Sequence, residues 1–243
     1  LFFLLKNLKP DFVVESGIYK GQSTWLIEKT LPGVDILSLD PNLNQRKYIS
    51  ETNKTKYSSL DFTEQDFSNI PKNSLVFFDD HQNFYERLAY CHFFGFKHII
   101  FDDNYPVSQG DTYSFKKIFS GTGLNDRRAN LKKLINSIFI LSKHTLLKKL
   151  NKNYISEIQQ YDLAIQDVKK SENHFKNLTK NIEIYFEFPP IFKTKYTRWG
   201  DLWSEENYPT KEPLLTEEHI KKYENIYQDS NSYNWMCYIK LVD

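Results

Sequence analysis

Four short apolar runs in the first hundred residues each end at an acidic residue, and helical patterns separate them. Phe12-Val13-Val14 runs into Glu15 and a glycine-containing turn, and Ile36-Leu37-Ser38-Leu39 stops at Asp40. Leu75-Val76-Phe77-Phe78 stops at Asp79-Asp80, and His98-Ile99-Ile100-Phe101 stops at Asp102-Asp103. Runs this continuous predict strands buried on both faces, the condition of a parallel sheet clad by helices on each side. A helix is predicted over about Gln22 to Thr30. Another follows Asp80, where Phe84, Leu88 and Cys91 recur on one face. Tyr57 to Leu60 reads as a weaker strand. The fold class is therefore α/β, and 243 residues suit one domain, 1–243, carrying an insertion.

The second half differs. No Gly or Pro occurs from Asn125 to Phe188, and Tyr154, Ile158, Tyr161, Ile165, Val168, Phe175 and Leu178 form an apolar stripe at helical spacing. Ile182 to Phe188 alternates apolar and polar residues, as an edge strand with one wet face does. An aromatic and proline-rich loop runs to Leu215. Thr216 to Ile226 reads as a helix capped by Thr216, and Trp235 to Val242 as a last strand. The stretch 106–180 is too long for one crossover helix. A helical insertion is expected there, serving as a lid or as a homodimerisation element.

Composition removes several classes. Lys+Arg is 32 against Asp+Glu 31, a net charge of +1, so binding nucleic acid through its phosphates is not expected. Cys91 and Cys237 cannot form a disulfide framework, which favours a reducing, cytoplasmic setting. No apolar run approaches the roughly 20 residues that span a bilayer, and Leu1-Phe2-Phe3-Leu4-Leu5 is too short for a signal-peptide core. No membrane partner is expected.

The first strand-to-helix turn reads Glu15-Ser16-Gly17-Ile18-Tyr19-Lys20-Gly21-Gln22-Ser23. Its pattern is E-x-G-x-x-x-G rather than G-x-G-x-x-G. An acid at this strand end repels a pyrophosphate but suits a cofactor with a cationic amino-acid head, such as S-adenosylmethionine. Asp40, ending the second run, stands where an acid accepts hydrogen bonds from ribose hydroxyls. Four aspartates crowd two neighbouring strand ends, a costly arrangement unless a cation or protonation relieves it. Hard oxygen donors point to Mg²⁺ or Ca²⁺. The loop Tyr196 to Trp203 with Tyr208, and the segment Tyr105 to Ser114, are candidate walls for a sugar or aromatic acceptor.

The turn Glu15 to Ser23 resembles the E-x-G-x-Y-x-G-x-S turn of class I S-adenosylmethionine-dependent O-methyltransferases, in particular the catechol-type and cephalosporin-hydroxylase or sugar O-methyltransferase groups. The resemblance continues through Phe77-Phe78-Asp79-Asp80-His81 and Ile99-Ile100-Phe101-Asp102-Asp103-Asn104, covering about residues 10 to 105. It implies a Rossmann-like methyltransferase sheet: seven strands, mostly parallel, with the last strand antiparallel beside strand five and Ile182 to Phe188 at the edge. By the same resemblance Glu15, Gly17, Tyr19, Gly21 and Ser23 line the methionine end of the cofactor, and Asp40 holds the ribose. Asp66 contacts adenine, with Asp61 the competing assignment. Asp79 or Asp80, with Asp103 and Asn104, binds a divalent metal. The lysine base of the catechol-type enzymes is missing, since Gln82 and Asn83 stand in its place. His81 becomes the candidate base, with Asp80 beside it as a candidate catalytic group. The implied activity is metal-assisted methyl transfer to a hydroxyl of a small molecule or sugar. A non-catalytic cofactor-binding protein of this fold is the alternative. An NAD-dependent oxidoreductase is disfavoured by Glu15 and the missing third glycine.

Overall fold

The computed structural model describes residues 1–105, 110–119, 168–189, 191–192, 214–215, 217–225 and 235–242. Helix α1 (Phe2–Leu8) precedes β1 (Phe12–Ser16), α2 (Gln22–Thr30), β2 (Asp35–Leu39) and β3 (Thr55–Ser58). Then come β4 (Ser74–Phe78), α3 (Phe84–Phe94), β5 (His98–Phe101) and α4 (Phe115–Phe119). The chain closes with α5 (Val168–Asn181), β6 (Ile182–Glu187), α6 (Glu217–Ile220) and β7 (Cys237–Leu241). One seven-stranded sheet runs β3-β2-β1-β4-β5-β7-β6. The first five strands pair in parallel, and β7 lies antiparallel between β5 and β6. This is the Rossmann-like methyltransferase sheet expected from the sequence, with Ile182–Glu187 at the edge.

The alternation of side chains along each strand sorts the apolar runs onto two faces. Val13, Ile36, Leu75, Phe77 and Ile100 pack with Ile27 of α2 and with Leu4 and Leu5 of α1. Val14, Val76, Phe78, Ile99 and Phe101 pack with Phe84, Leu88 and Cys91 of α3, with Phe115 and Ile118 of α4, and with Leu178 of α5. Phe78 and Phe101 stack at 4.9 Å between ring centroids, and Phe84 stacks on Phe101 at 4.4 Å. Two-sided burial is why these strands read as unbroken apolar runs.

Three sequence expectations shift. The third strand is Thr55–Ser58, two residues earlier than expected, and Leu60 is exposed. As an edge strand paired only with β2, it carries little hydrophobic signal. The opening apolar stretch forms a short helix, because Leu4 and Leu5 find a cover against α2 that no local pattern announces. Of the apolar stripe, Leu178 is buried whereas Phe175 is exposed and meets Phe119 edge-on. The positions from Tyr154 to Ile165, most of the 106–180 insertion, Thr216 and the loop Tyr196 to Trp203 with Tyr208 lie outside the described residues. Among the described residues no helix is long and apolar enough to cross a membrane.

Candidate active site

The parallel strands end on a common edge. The backbone ladder continues one step past each of them, from Gly17 N–H to Leu39 O, Asp79 N–H to Ser16 O and Asp102 N–H to Phe78 O. Strand order reverses between β1 and β4, and a ligand in such a sheet lies in the crevice at that reversal. Both sequence motifs arrive there.

The first turn is built by glycines. Gly17 has φ +99°, and a Cβ built on it would collide with the carbonyl of Asp79. Gly21 has φ +86° and caps α2, and Tyr19 takes a left-handed φ of +46° with its ring exposed. Asp40 lies opposite. Its Oδ2 accepts hydrogen bonds from the backbone N–H groups of Ile18 (3.0 Å) and Tyr19 (2.9 Å), and its Oδ1 from that of Asn42 (2.7 Å). The carboxylate expected at a ribose thus also holds the turn in shape.

Glu15 is fully buried. Its Oε2 accepts from the hydroxyls of Thr24 on α2 and Ser38 on β2, each at 2.6 Å. Oε1 has no hydrogen-bond partner among the described residues. Burial pushes the Glu15 carboxyl up, and the hydroxyls of Ser23, Ser38 and Thr24 pull it part of the way back. Ser23 does this without closing a hydrogen bond to Oε1. An orphaned, buried carboxylate oxygen beside a glycine turn fits an ammonium-bearing ligand, because a cationic donor would satisfy it.

At the ends of β4 and β5 the paired aspartates separate. Asp79, His81 and Asp103 each offer one ligand atom, and these atoms all lie within 4.8 Å of one another. Two carboxylate oxygens and one imidazole nitrogen are a donor set that suits a divalent cation. Asp80 points elsewhere. Its carboxylate accepts from the Ser16 hydroxyl (2.7 Å) and pairs with Arg87 (2.9 Å). Consecutive residues leaving a strand project to opposite sides, so only one of the two acids reaches the cluster. Asp80, expected as a possible metal ligand and catalytic group, is instead tied to the buried Arg87, which also forms a bidentate pair with Asp61 at 2.8 and 2.6 Å.

Asn104, expected as a ligand, already has protein partners. It is buried, its Nδ2 donates to the Tyr185 hydroxyl (2.9 Å) and its Oδ1 accepts from the Lys116 N–H (3.1 Å). Both ends of the amide are engaged away from the cluster. Asp61 caps the 3₁₀ turn Phe62–Glu64, and the guanidinium of Arg87 holds its carboxyl well below the usual carboxylate range. Asp66 is exposed and closes a local turn onto the Ser68 N–H. Of the two positions expected for the lysine, Gln82 donates its Nε2 to the Asp80 carbonyl, and Asn83 is the N-cap of α3 and accepts from the N–H groups of Tyr85 and Glu86.

Electrostatics within the cluster follow from crowding. Burial, and then the charges of Asp102 and Asp103, push Asp79 up to about 8. His81 sits between Asp103, 3.3 Å from Nε2, and Asp111, 3.0 Å from Nδ1. The Asp111 hydrogen bond raises it to about 9. The two flanking carboxylates favour the protonated ring of His81, which weighs against its service as a free base. A cation among the three residues would replace that proton as the counter-charge. From sequence Arg87 is not a site candidate, and Asp111 enters only as part of the candidate wall Tyr105 to Ser114. Arg87 had one signal, a charge inside the apolar face formed by Phe84, Leu88 and Cys91.

No family model matches the chain, and no curated protein matches it. Among solved structures it is similar to CmcI with SAH at 15% identity and a TM-score of 0.37, covering 42% of this chain and 57% of that one. It spans 49% of CmcI in its Mg-SAM form. Similarity to the SAH-bound methyltransferase PaMTH1 of Podospora anserina is 11% in identity with a TM-score of 0.43, covering 77% and 71% of the two chains. For the plantazolicin methyltransferase BpumL in complex with SAH the values are 14% and 0.41, covering 98% and 83%. The fold class rests on the chain's own strand order. By that order, its first strand-to-helix turn and its acidic strand ends, the chain resembles the class I S-adenosylmethionine-dependent methyltransferases.

Proposed function

We propose that the chain binds S-adenosylmethionine at the β1–α2 turn and transfers its methyl group to a hydroxyl of a small molecule or sugar. In this reading Asp79, His81 and Asp103 hold a divalent cation. The observation that carries it is the contact of Gly17 with the backbone of Asp79. That contact supports the reading because it brings the β1–α2 turn beside the strand end that carries Asp79. Bound there, the sulfonium cofactor would supply an already activated methyl group and leave as S-adenosylhomocysteine, and a cation would lower the pKa of the acceptor hydroxyl so that its proton passes to water.

The chain's own residues then have mainly to position. Glu15 Oε1 offers an acceptor to the cofactor's ammonium group. Asp40 supports the turn and presents oxygens at the place of the ribose. Asp79 and Asp103 would give anionic oxygens, and His81 its Nε2, to the cation that faces the acceptor.

Binding of S-adenosylhomocysteine, measured by calorimetry with and without Mn²⁺ or Mg²⁺, tests this reading. Saturable binding that survives Asp103→Ala, with metal binding lost in that variant, is the expected result. No binding to the unmutated protein would overturn it. A second reading, a cofactor-binding protein without turnover, is favoured by Gln82, which stands three residues after Asp79 in place of a lysine and donates its Nε2 to the Asp80 carbonyl. It predicts the same binding with no methyl transfer to any hydroxyl acceptor.

A further inference from the structure

We infer that Asp111 is a positioning residue that holds the ring of His81 with Nε2 turned toward Asp103. The inference rests on the reading of Asp79, His81 and Asp103 as a cation site, and it adds a residue that the family resemblance does not assign.

The geometry is specific. Both carboxylate oxygens of Asp111 face His81 Nδ1, at 3.0 and 3.2 Å, while Nε2 stands 3.3 Å from Asp103 Oδ2. A histidine that ligates through one ring nitrogen is oriented by what the other nitrogen bonds, and a carboxylate is a common partner. His81 needs such a partner. Its backbone is left-handed, at φ +53°, and about half of its side chain is exposed, so packing alone does not choose its rotamer.

Asp111 is itself held. Its neighbour Thr112 is buried and donates its hydroxyl to the Asp103 carbonyl at 2.9 Å. The Tyr113 carbonyl accepts from the Phe84 N–H at 3.2 Å, and the buried Ser114 hydroxyl bonds the Tyr105 carbonyl. Lys117 Nζ reaches back to the Thr112 carbonyl at 2.5 Å. Gly110 turns the chain at φ +61°, where a Cβ would strike the Tyr105 ring. The segment carrying Asp111 is thus bonded both to the loop after β5 and to the start of α3. These bonds tie it to the two strand ends that present Asp103 and His81. The Asp111–His81 pair is about half exposed, and an ion pair so exposed adds little to folding stability. Its removal should register at the site and not in the melting temperature.

The test compares the unmutated chain with Asp111→Asn, Asp111→Glu, His81→Ala and the Asp111→Asn/His81→Ala double variant. Mn²⁺ affinity is read by electron paramagnetic resonance, and ring order of His81 by ¹³C relaxation in the metal-free protein. Asp111→Asn should weaken Mn²⁺ binding about 10- to 100-fold and mobilise the ring. Asp111→Glu should restore part of the affinity, and the double variant should bind no more weakly than His81→Ala alone. An equally ordered ring in Asp111→Asn, or a full additional loss in the double variant, overturns the inference. If the unmutated chain binds no Mn²⁺ yet the ring loosens in Asp111→Asn, the cation reading fails and the positioning role stands.

Discussion

Gly17 and Asp79 occupy one small space at the reversal of the sheet: the Cα of one faces the carbonyl of the other so closely that a side chain could not stand between them. The contact links the turn after β1 to the loop after β4. It also leaves the amide of Asp80 only 3.0 Å from where a Cβ would lie. Substitution at Gly17 should therefore be felt at both motifs.

Gly17→Ala combines a steric clash with a φ of +99° that an L-residue resists. A loss of about 2–3 kcal/mol in stability is expected, from backbone strain alone. Thermal melts and calorimetry with S-adenosylhomocysteine should show a lower transition and weakened binding together. Unchanged melting and affinity would mean the turn has another conformation.

Asp40→Ala removes the acceptor of two backbone N–H groups as well as the expected ribose contact. Cofactor affinity should fall by about 1.5–3 kcal/mol, and Asp40→Asn should retain part of it because one acceptor oxygen remains. Titration calorimetry decides. Equal affinity in both variants and the unmutated chain would place the ribose elsewhere.

Arg87→Met leaves Asp80 buried without its counter-charge, which costs about 3–5 kcal/mol at pH 7 when one partner of a buried pair is removed. The Asp80 carboxyl is already raised by burial, with Arg87 opposing the rise. A folded-state pKa above the unfolded value means the native state gains protons as pH falls. The Arg87→Met deficit should therefore shrink between pH 7 and pH 5. Denaturant melts at both pH values measure it; a deficit independent of pH would contradict the role given to Asp80.

Asp79→Asn should separate stability from cation binding. The Asp79 carboxyl is pushed up to about 8, by burial first and then by Asp102 and Asp103. Its ionisation costs stability progressively from the ordinary carboxylate range up to about pH 8, so the cost is smaller at pH 5 than at pH 8. The asparagine variant should gain about 1–2 kcal/mol at pH 8 and less at pH 5, while losing Mn²⁺ binding. Equal stability at pH 8 would show that the acids do not strain the metal-free site.

The strands and their order of appearance were legible in the sequence, because a strand buried on both faces must be apolar at every position. The Gly17 turn and the acidic ends of β2, β4 and β5 were legible for a related reason: those residues interrupt the apolar runs where a parallel sheet opens its crevice. Side-chain direction was not. Nothing local distinguishes Asp79, which joins the cluster, from Asp80, which Arg87 captures from α3. Asn104 looked like a ligand until Tyr185 and the Lys116 backbone, far along the chain, took both ends of its amide. Asp111 meets His81 across 30 residues, and α1 forms because α2 and the sheet cover Leu4 and Leu5. Periodicity follows from the burial of the backbone's own neighbourhood and can be read from the sequence alone. The partner of a buried charge or amide is set by whichever complementary group the completed packing brings within hydrogen-bond reach.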